Sequence, residues 1–441
     1  MWCSLINIVL GIDGGCFEHI KPLLEKNLLP NFKKIIENGF YADLQVTIPP
    51  VTFPSWPCLF TGLTPEQLGR YWFLNPDGSV LTSHIWRDKS LFSLFNKRIF
   101  VLNVPATYPA WRINGEMITG FMSPSISCFP PELKFFIGKN WIINGTHIAE
   151  SFQAFEMKKN LFLRKMNEDF ELMVYVIKIP DNVTHLSRLG KTKTLKLIHL
   201  SYLKIDKFLN QILNNNSVEN ILIFSDHGII HFKHEFFFKR WLEKKKLIFI
   251  NQRRGFFLIN IMLKIYAIFR IFVRSTKFVN YFKKLINYQK KRINRRSPSN
   301  SKEKSLIQNK IIFGPFTSNV GAIYLYGNLK KKKKEIKEIL EYDKNIDRLV
   351  IHNKENFPDI FVILKDKYLF SALPSMYLKR RRDTYGHHEI GFFMAYGKDI
   401  KRGHTNIINY QDIAPTISKL CEIKKPDYMK GEALKIFRNN N

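Results

Sequence analysis

The stretch ILIFSDHG, residues 221–228, sets four consecutive apolar side chains ahead of Ser225, Asp226, His227 and Gly228. Four apolar residues without alternation mark a strand buried on both faces, the kind found in a parallel sheet covered by helices. A carboxylate and an imidazole at the carboxyl end of such a strand stand where open α/β sheets keep their chemistry. A polar turn after a strand would look the same locally. The choice between a turn and a pair of ligands has to come from the rest of the chain.

Working outward, five further apolar runs have the same form: LINIVLGIDGG at 5–15, RIFVLNVP at 98–105, LMVYVIKIPD at 172–181, NVGAIYLYG at 319–327 and IGFFMAYG at 390–397. Segments with helical periodicity, such as 21–37 and 191–214, lie between them. This alternation predicts an α/β fold with a mostly parallel central sheet and helices on both faces. Residues 105–163 are rich in proline (Pro105, Pro109, Pro124, Pro130, Pro131) and read as an excursion on the substrate side.

With 441 residues and 45% apolar composition the chain has material for one large core plus an insertion. Its five cysteines are scattered without disulfide or CxxC spacing, which favours a reducing compartment. The N-terminal apolar stretch lacks a basic leader and runs straight into GIDGG, so it reads as a first strand and the protein as cytoplasmic. The net charge of +32 is uneven: residues 239–312 hold 21 Lys or Arg against Glu243 and Glu303, which is +19 of the total. The expected organisation is therefore a core in two parts, 1–238 and 313–441, around a basic insertion or cap at 239–312.

Within that insertion, GFFLINIMLKIYAIFRIFVR (255–274) is nearly all apolar, yet Asn260, Lys264, Arg270, Arg274 and Lys277 fall on one side of a helix. Its internal charges disfavour a transmembrane span. Residues 255–296 could lie on an anionic membrane surface or pack on the core as a cap. Nucleic acid is the less favoured partner, because no recognition motif or stacking pattern accompanies the charge. The run of five lysines at 330–334 reads as a solvated helix face.

Candidate site residues stand beside the strand ends. GIDGG contributes Asp13, IPDNVTH contributes Asp181 and His185 four apart on one helical turn, SDHG contributes Asp226 and His227, and YGHHEIG contributes His387 or His388. Each alone reads more readily as a turn or core residue. Together they make three carboxylates and three imidazoles, a donor mixture suited to zinc or a similar divalent ion and numerous enough for two ions. In IPPVTFPSWPCLFTG, Thr52 sits where a helix should begin, so its hydroxyl is a candidate nucleophile beside a cation.

At this point the chain resembles a known family. GIDGG, LLPNFKKIIENGFYADL, PPVTFPSWPCLFTGLTPEQLG, NVPATYPAWRINGEMITGF, FPPEL, DNVTH, SDHG, HHEIGFFMAYG and QDIAPTISKL are similar, in order, to the type I phosphodiesterase/nucleotide pyrophosphatase branch of the alkaline phosphatase superfamily. The resemblance implies an alkaline phosphatase-like fold, with Asp13, Thr52, Asp226 and His227 around one metal. Asp181, His185 and one of His387 or His388 would surround a second. His387 stands four residues before Gly391 and His388 two after Gly386, and each spacing matches part of the family motif.

The resemblance also implies two divalent ions, zinc foremost with manganese or magnesium as alternatives. It implies in-line attack by Thr52 on the phosphorus of a nucleotide-like phosphate ester and a phosphothreonine intermediate, whereas the basic amphipathic insertion is what suggests a lipid- or glycan-linked ester. Leu68 and Phe73 depart from the family pattern, and Asn75 is the nearby candidate for substrate binding. A sulfatase is disfavoured by the lack of a CxPxR-like motif, and a phosphoglycerate-mutase-like enzyme by the threonine and by the expectation of a different large insert. The alternatives that remain are a peripheral membrane hydrolase or transferase on a lipid- or glycan-linked diester, and an inactive basic binding protein.

Overall fold

The computed structural model describes residues 5–73, 80–138, 140–187, 190–247, 311–315, 317–354, 357–371 and 378–438. Asn75, the segment 255–296 and most of the insertion 239–312 lie outside the described residues. Among those described, no helix is long and apolar enough to cross a membrane.

The strands in chain order are β1 (Ile6–Ile12), β2 (Phe40–Gln45), β3 (Ile99–Leu102), β4 (Gly115–Ile118), β5 (Cys128–Phe129), β6 (Leu172–Ile177), β7 (Val218–Phe224) and β8 (Gly228–Phe237). They continue with β9 (Ile311–Pro315), β10 (Val320–Leu325), β11 (Ile346–Ile351), β12 (Ile360–Leu364), β13 (Tyr368–Ser371), β14 (Lys379–His388), β15 (Ile390–Gly397) and β16 (Gly403–Asn409). Nine form the central sheet in the order β16-β2-β15-β7-β1-β6-β3-β4-β5. All run one way except β15 and β5, which are antiparallel to their neighbours.

The unbroken apolar runs are explained by burial on both faces. In β1, Ile8, Leu10 and Ile12 join one core cluster while Val9 joins the other; in β6, Met173, Tyr175 and Ile177 separate from Leu172, Val174 and Val176 in the same way. Helices Phe17–Glu25, Pro30–Asn38, Ile148–Lys165 and Lys191–Leu213 cover the first face. Helices Thr52–Thr61 and Ile413–Leu420 cover the second. Gly11 lets the Thr52–Thr61 helix lie close on β1, because a Cβ at that position would collide with the Trp56 ring.

Two expectations differ in detail. The helical pattern at 21–37 is interrupted: Asn27 takes a left-handed φ of 54° and Pro30 begins a new helix. The strand in NVGAIYLYG forms as β10, but it sits in a separate antiparallel sheet, β11-β12-β10-β9, instead of the central one. Helix Lys333–Glu341 packs Ile336 and Leu340 on that sheet, together with Trp241 and Leu242 from the helix Phe238–Lys244. A third sheet, β13-β8-β14, links this part to the core, since β14 turns at Glu389 directly into β15.

Candidate functional site

The strands β7, β1 and β6 are neighbours in the sheet, and Asp226, Asp13 and Asp181 follow their carboxyl ends. Adjacent strands lie about 5 Å apart, so residues separated by up to 213 positions meet at one rim. Asp13 and His227 are fully buried there, as is Asp226. Asp181 lies in the first turn of the helix Ile179–Leu186 with His185 one turn on. His387 arrives on β14, paired opposite Ile229 of β8.

Two groups of donors result. In the first, His227 Nε2 lies 3.3 Å from Asp13 Oδ1 and 3.6 Å from Asp226 Oδ2. In the second, Asp181 Oδ1 lies 3.1 Å from His185 Nε2 and 3.2 Å from His387 Nε2, and the two Nε2 atoms are 2.9 Å apart. The groups adjoin, since the His227 and His387 rings stack with centroids 3.8 Å apart.

The donor arrangement fits a cation in each group. Both Asp13 oxygens, Asp226 Oδ2, Asp181 Oδ1 and His227 Nε2 are buried without a hydrogen bond, which is costly unless something else satisfies them. Tetrahedral ligands about 2.0–2.1 Å from an ion sit roughly 3.3 Å from one another, close to the separations above. The ring orientations agree as well. His227 Nδ1–H donates to Gly228 O and His387 Nδ1–H donates to Pro50 O, each at 3.1 Å; a carbonyl only accepts, so both Nε2 atoms are turned into the clusters. The backbone N–H of Gly14 donates to Asp226 Oδ1 at 3.3 Å, which leaves Oδ2 free.

Electrostatics point the same way. Burial and the Asp13 charge push the Asp226 carboxyl well above its ordinary range, and burial with the Asp181 charge raises Asp13. Burial alone would lower the His227 pKa, yet the Asp226 and Asp13 carboxylates raise it to about 10. In the second group burial works against the Asp181 charge, but His185 and His387 hold its carboxyl well below the usual range. Burial and the His227 charge lower His387 to about 4. A concentration of buried carboxylate that recruits protons is one that a divalent cation can satisfy instead.

His388 is not part of either group. It neighbours His387 on one strand, and the pleat turns successive side chains to opposite faces, so its Nε2 pairs with Asp366 Oδ1 at 3.1 Å. Thr52 opens onto a cavity of about 500 Å³ whose lining includes Asp181, His185 and His387. Val51, not Thr52, is the helix cap residue, and Phe53 departs from helical backbone (φ −113°, ψ 121°). The Thr52 hydroxyl has no hydrogen-bond partner among the described residues.

Among the lining residues, Lys178 and Met122 carried no motif in the sequence, and Phe121 entered it only as the last residue of NVPATYPAWRINGEMITGF. The readable signal for Lys178 was a charge inside an apolar run, three residues before Asp181. Behind it lies a second lysine, Lys158, only 4% exposed, whose Nζ donates to Ile143 O at 3.0 Å. Burial and the Lys178 charge lower its pKa to about 7. Between about pH 7 and the unfolded lysine value near 10.4, the unfolded chain binds one more proton than the folded one, so this group makes stability rise with pH across that window. Lys158→Met is expected to raise the thermal midpoint at pH 7 by several degrees and to remove part of the gain between pH 7 and 9.5, as measured by thermal unfolding at both pH values.

A family model for type I phosphodiesterase / nucleotide pyrophosphatase matches residues 7–389. Among solved structures, murine ectonucleotide pyrophosphatase / phosphodiesterase 5, inactive and in complex with AMP, has a TM-score of 0.58 at 12% identity, over 99% of this chain and 100% of that one. The human counterpart has a TM-score of 0.55 at 14% identity, over 98% and 97% of the two chains. Phosphonoacetate hydrolase from Sinorhizobium meliloti 1021, in complex with phosphonoformate, has a TM-score of 0.55 at 13% identity, over 92% and 91%. At these identities the structural likeness concerns the fold, which is that of the alkaline phosphatase superfamily. None of the curated proteins matches the chain. The match over residues 7–389 makes this chain a member of the type I phosphodiesterase / nucleotide pyrophosphatase family.

Proposed function

We propose that this protein hydrolyses phosphodiester or phosphate-ester bonds in a metal-dependent reaction with Thr52 as nucleophile. Family membership supports a hydrolase acting on phosphate esters. The finer reading rests chiefly on one observation: an unpartnered Thr52 hydroxyl faces the same cavity as Asp181, His185 and His387, beside the Asp13, Asp226 and His227 group. Divalent ions, zinc by the mixed nitrogen and oxygen donors, would be held by the two groups and would supply Lewis acidity toward phosphoryl oxygens.

The chain's own part is positioning and exclusion of water. The Thr52 hydroxyl gives its proton to solvent as Oγ1 forms the bond to phosphorus and the bond to the leaving oxygen breaks. The leaving oxygen takes up a proton from solvent, and water then releases the phosphoryl group and restores the threonine hydroxyl. Phe53, Trp72, Phe73, Phe121 and Met122 make the cavity walls largely apolar, which suits an ester with a planar or apolar leaving side. The similar structures bound to AMP, a phosphate ester, and to phosphonoformate, a phosphonate, support substrates that present a phosphoryl or phosphonyl group.

The test is hydrolysis of bis-p-nitrophenyl phosphate and of a lipid-linked diester in vesicles, by metal-loaded and by chelator-treated protein. Release of p-nitrophenol that disappears with chelator and returns with zinc or manganese is the expected result. Hydrolysis of the vesicle-borne diester alone would favour the peripheral membrane enzyme, and the apolar walls accommodate that substrate too. No hydrolysis of either by metal-loaded protein would overturn the proposal.

A further inference from the structure

Lys178 has no assigned part in the chemistry described above, yet its placement is specific. It follows the last residue of β6 and precedes the helix bearing Asp181. It is the only Lys or Arg among the described residues lining the Thr52 cavity. Its Nζ lies 4.6 Å from the centroid of the Phe121 ring, and Phe121 lines the same cavity. A cation held over an aromatic face loses much of the conformational freedom of a long side chain before any ligand arrives.

The ammonium is also uncommitted. Among the described residues no carboxylate oxygen lies within 4.0 Å of it, and it donates no hydrogen bond. Burial lowers its pKa, and the charges of Asp13 and Asp181, one from each donor group, work against that without either pairing with it. A lysine retained only to balance those carboxylates would gain most by direct contact with one of them. Three free N–H donors on a restrained cation, in the cavity that also holds Thr52, Asp181, His185 and His387, match a ligand that brings its own negative oxygen.

We propose that Lys178 is a catalytic residue that binds a non-bridging oxygen of the phosphoryl group as Thr52 attacks. The inference rests on the proposed phosphoesterase reading. Lys178 forms no covalent bond and transfers no proton; its fixed charge holds the oxygen on which negative charge accumulates. Asn182, one helical turn beyond Lys178, accepts no part of this role, because its side-chain amide already donates to Gly145 O and Ser151 Oγ.

The experiment compares wild type with Lys178→Met and Lys178→Arg, all metal-loaded. It measures kcat and KM for bis-p-nitrophenyl phosphate, metal content, and the affinity for inorganic phosphate by calorimetry. Lys178→Met is expected to lose on the order of 100-fold in kcat/KM. It should bind phosphate at least ~10-fold more weakly with unchanged metal content, and Lys178→Arg should recover part of both losses because it keeps the charge. Phosphate affinity and kcat/KM within about threefold of wild type in Lys178→Met would overturn the proposal, as would a loss of metal that accounts for the loss of activity. If wild type hydrolyses neither ester but binds phosphate in a Lys178-dependent way, the oxyanion site stands and the hydrolase reading falls. If metal-loaded wild type binds no phosphate, the oxyanion site falls.

Discussion

Thr52→Ala is expected to lower turnover of a phosphodiester by on the order of 10³-fold or more while leaving metal content and thermal midpoint close to wild type. The separation of these effects follows from the surroundings of the side chain. Its hydroxyl has no hydrogen-bond partner among the described residues, so removal leaves no orphaned group and should change stability by less than about 0.5 kcal/mol. The six side chains in the two donor groups are untouched by the substitution. Thr52→Ser keeps the nucleophilic oxygen and should retain a measurable part of the rate. Steady-state hydrolysis, elemental analysis and thermal unfolding of the same preparations check all three statements. Full turnover in Thr52→Ala would sink the covalent route, whatever the metal content.

The second large effect is expected for Asp226→Asn, and its sign on stability should depend on metal. Without metal, Asp226 is a fully buried carboxylate facing Asp13, with Oδ2 unsatisfied and its pKa driven well upward by burial and by that neighbour. An amide of the same shape can still accept the Gly14 N–H at Oδ1, and it removes the repulsion. The variant should therefore be more stable than wild type in chelator, by about 1–3 kcal/mol.

With metal present the order should reverse. A neutral amide is a poor ligand in place of a carboxylate, so the variant loses the stabilisation that a tightly bound ion confers on the folded state alone. Activity should fall by on the order of 10²-fold or more along with metal content. Thermal midpoints of both proteins, each in chelator and in excess zinc, give four numbers whose crossing is the prediction. A variant less stable than wild type in chelator, or one that keeps its full metal content and activity, would remove the cation-binding reading of the Asp13, Asp226 and His227 group.

Much of this molecule was legible before its structure. The runs around Val9, Val101, Val174 and Leu222 could be read as core strands because a strand buried on both faces has no polar alternation to blur it. Asp13, Asp181 and Asp226 could be singled out because each follows such a run. The break at Asn27 and Pro30 was less legible, because apolar periodicity continues across a helix break that a left-handed residue makes possible. The strand β10 was found but its sheet was not, since an apolar run of six residues carries no label for its partners.

The sequence by itself determined the fold class, the positions of the strands that build the rim, and the residue types gathered there, because burial and chain direction are written locally in hydropathy and turn residues. Only the tertiary structure decided which side chains meet. Strand order brought Asp13, Asp181 and Asp226 together. The pleat of β14 sent His387 to the rim and His388 to Asp366. The packing of Lys178 on Phe121 set an unpaired cation in the cavity onto which Thr52 opens. Each depends on contacts between residues far apart in the chain, whose free energies exist only once the sheet has closed and its core has excluded water.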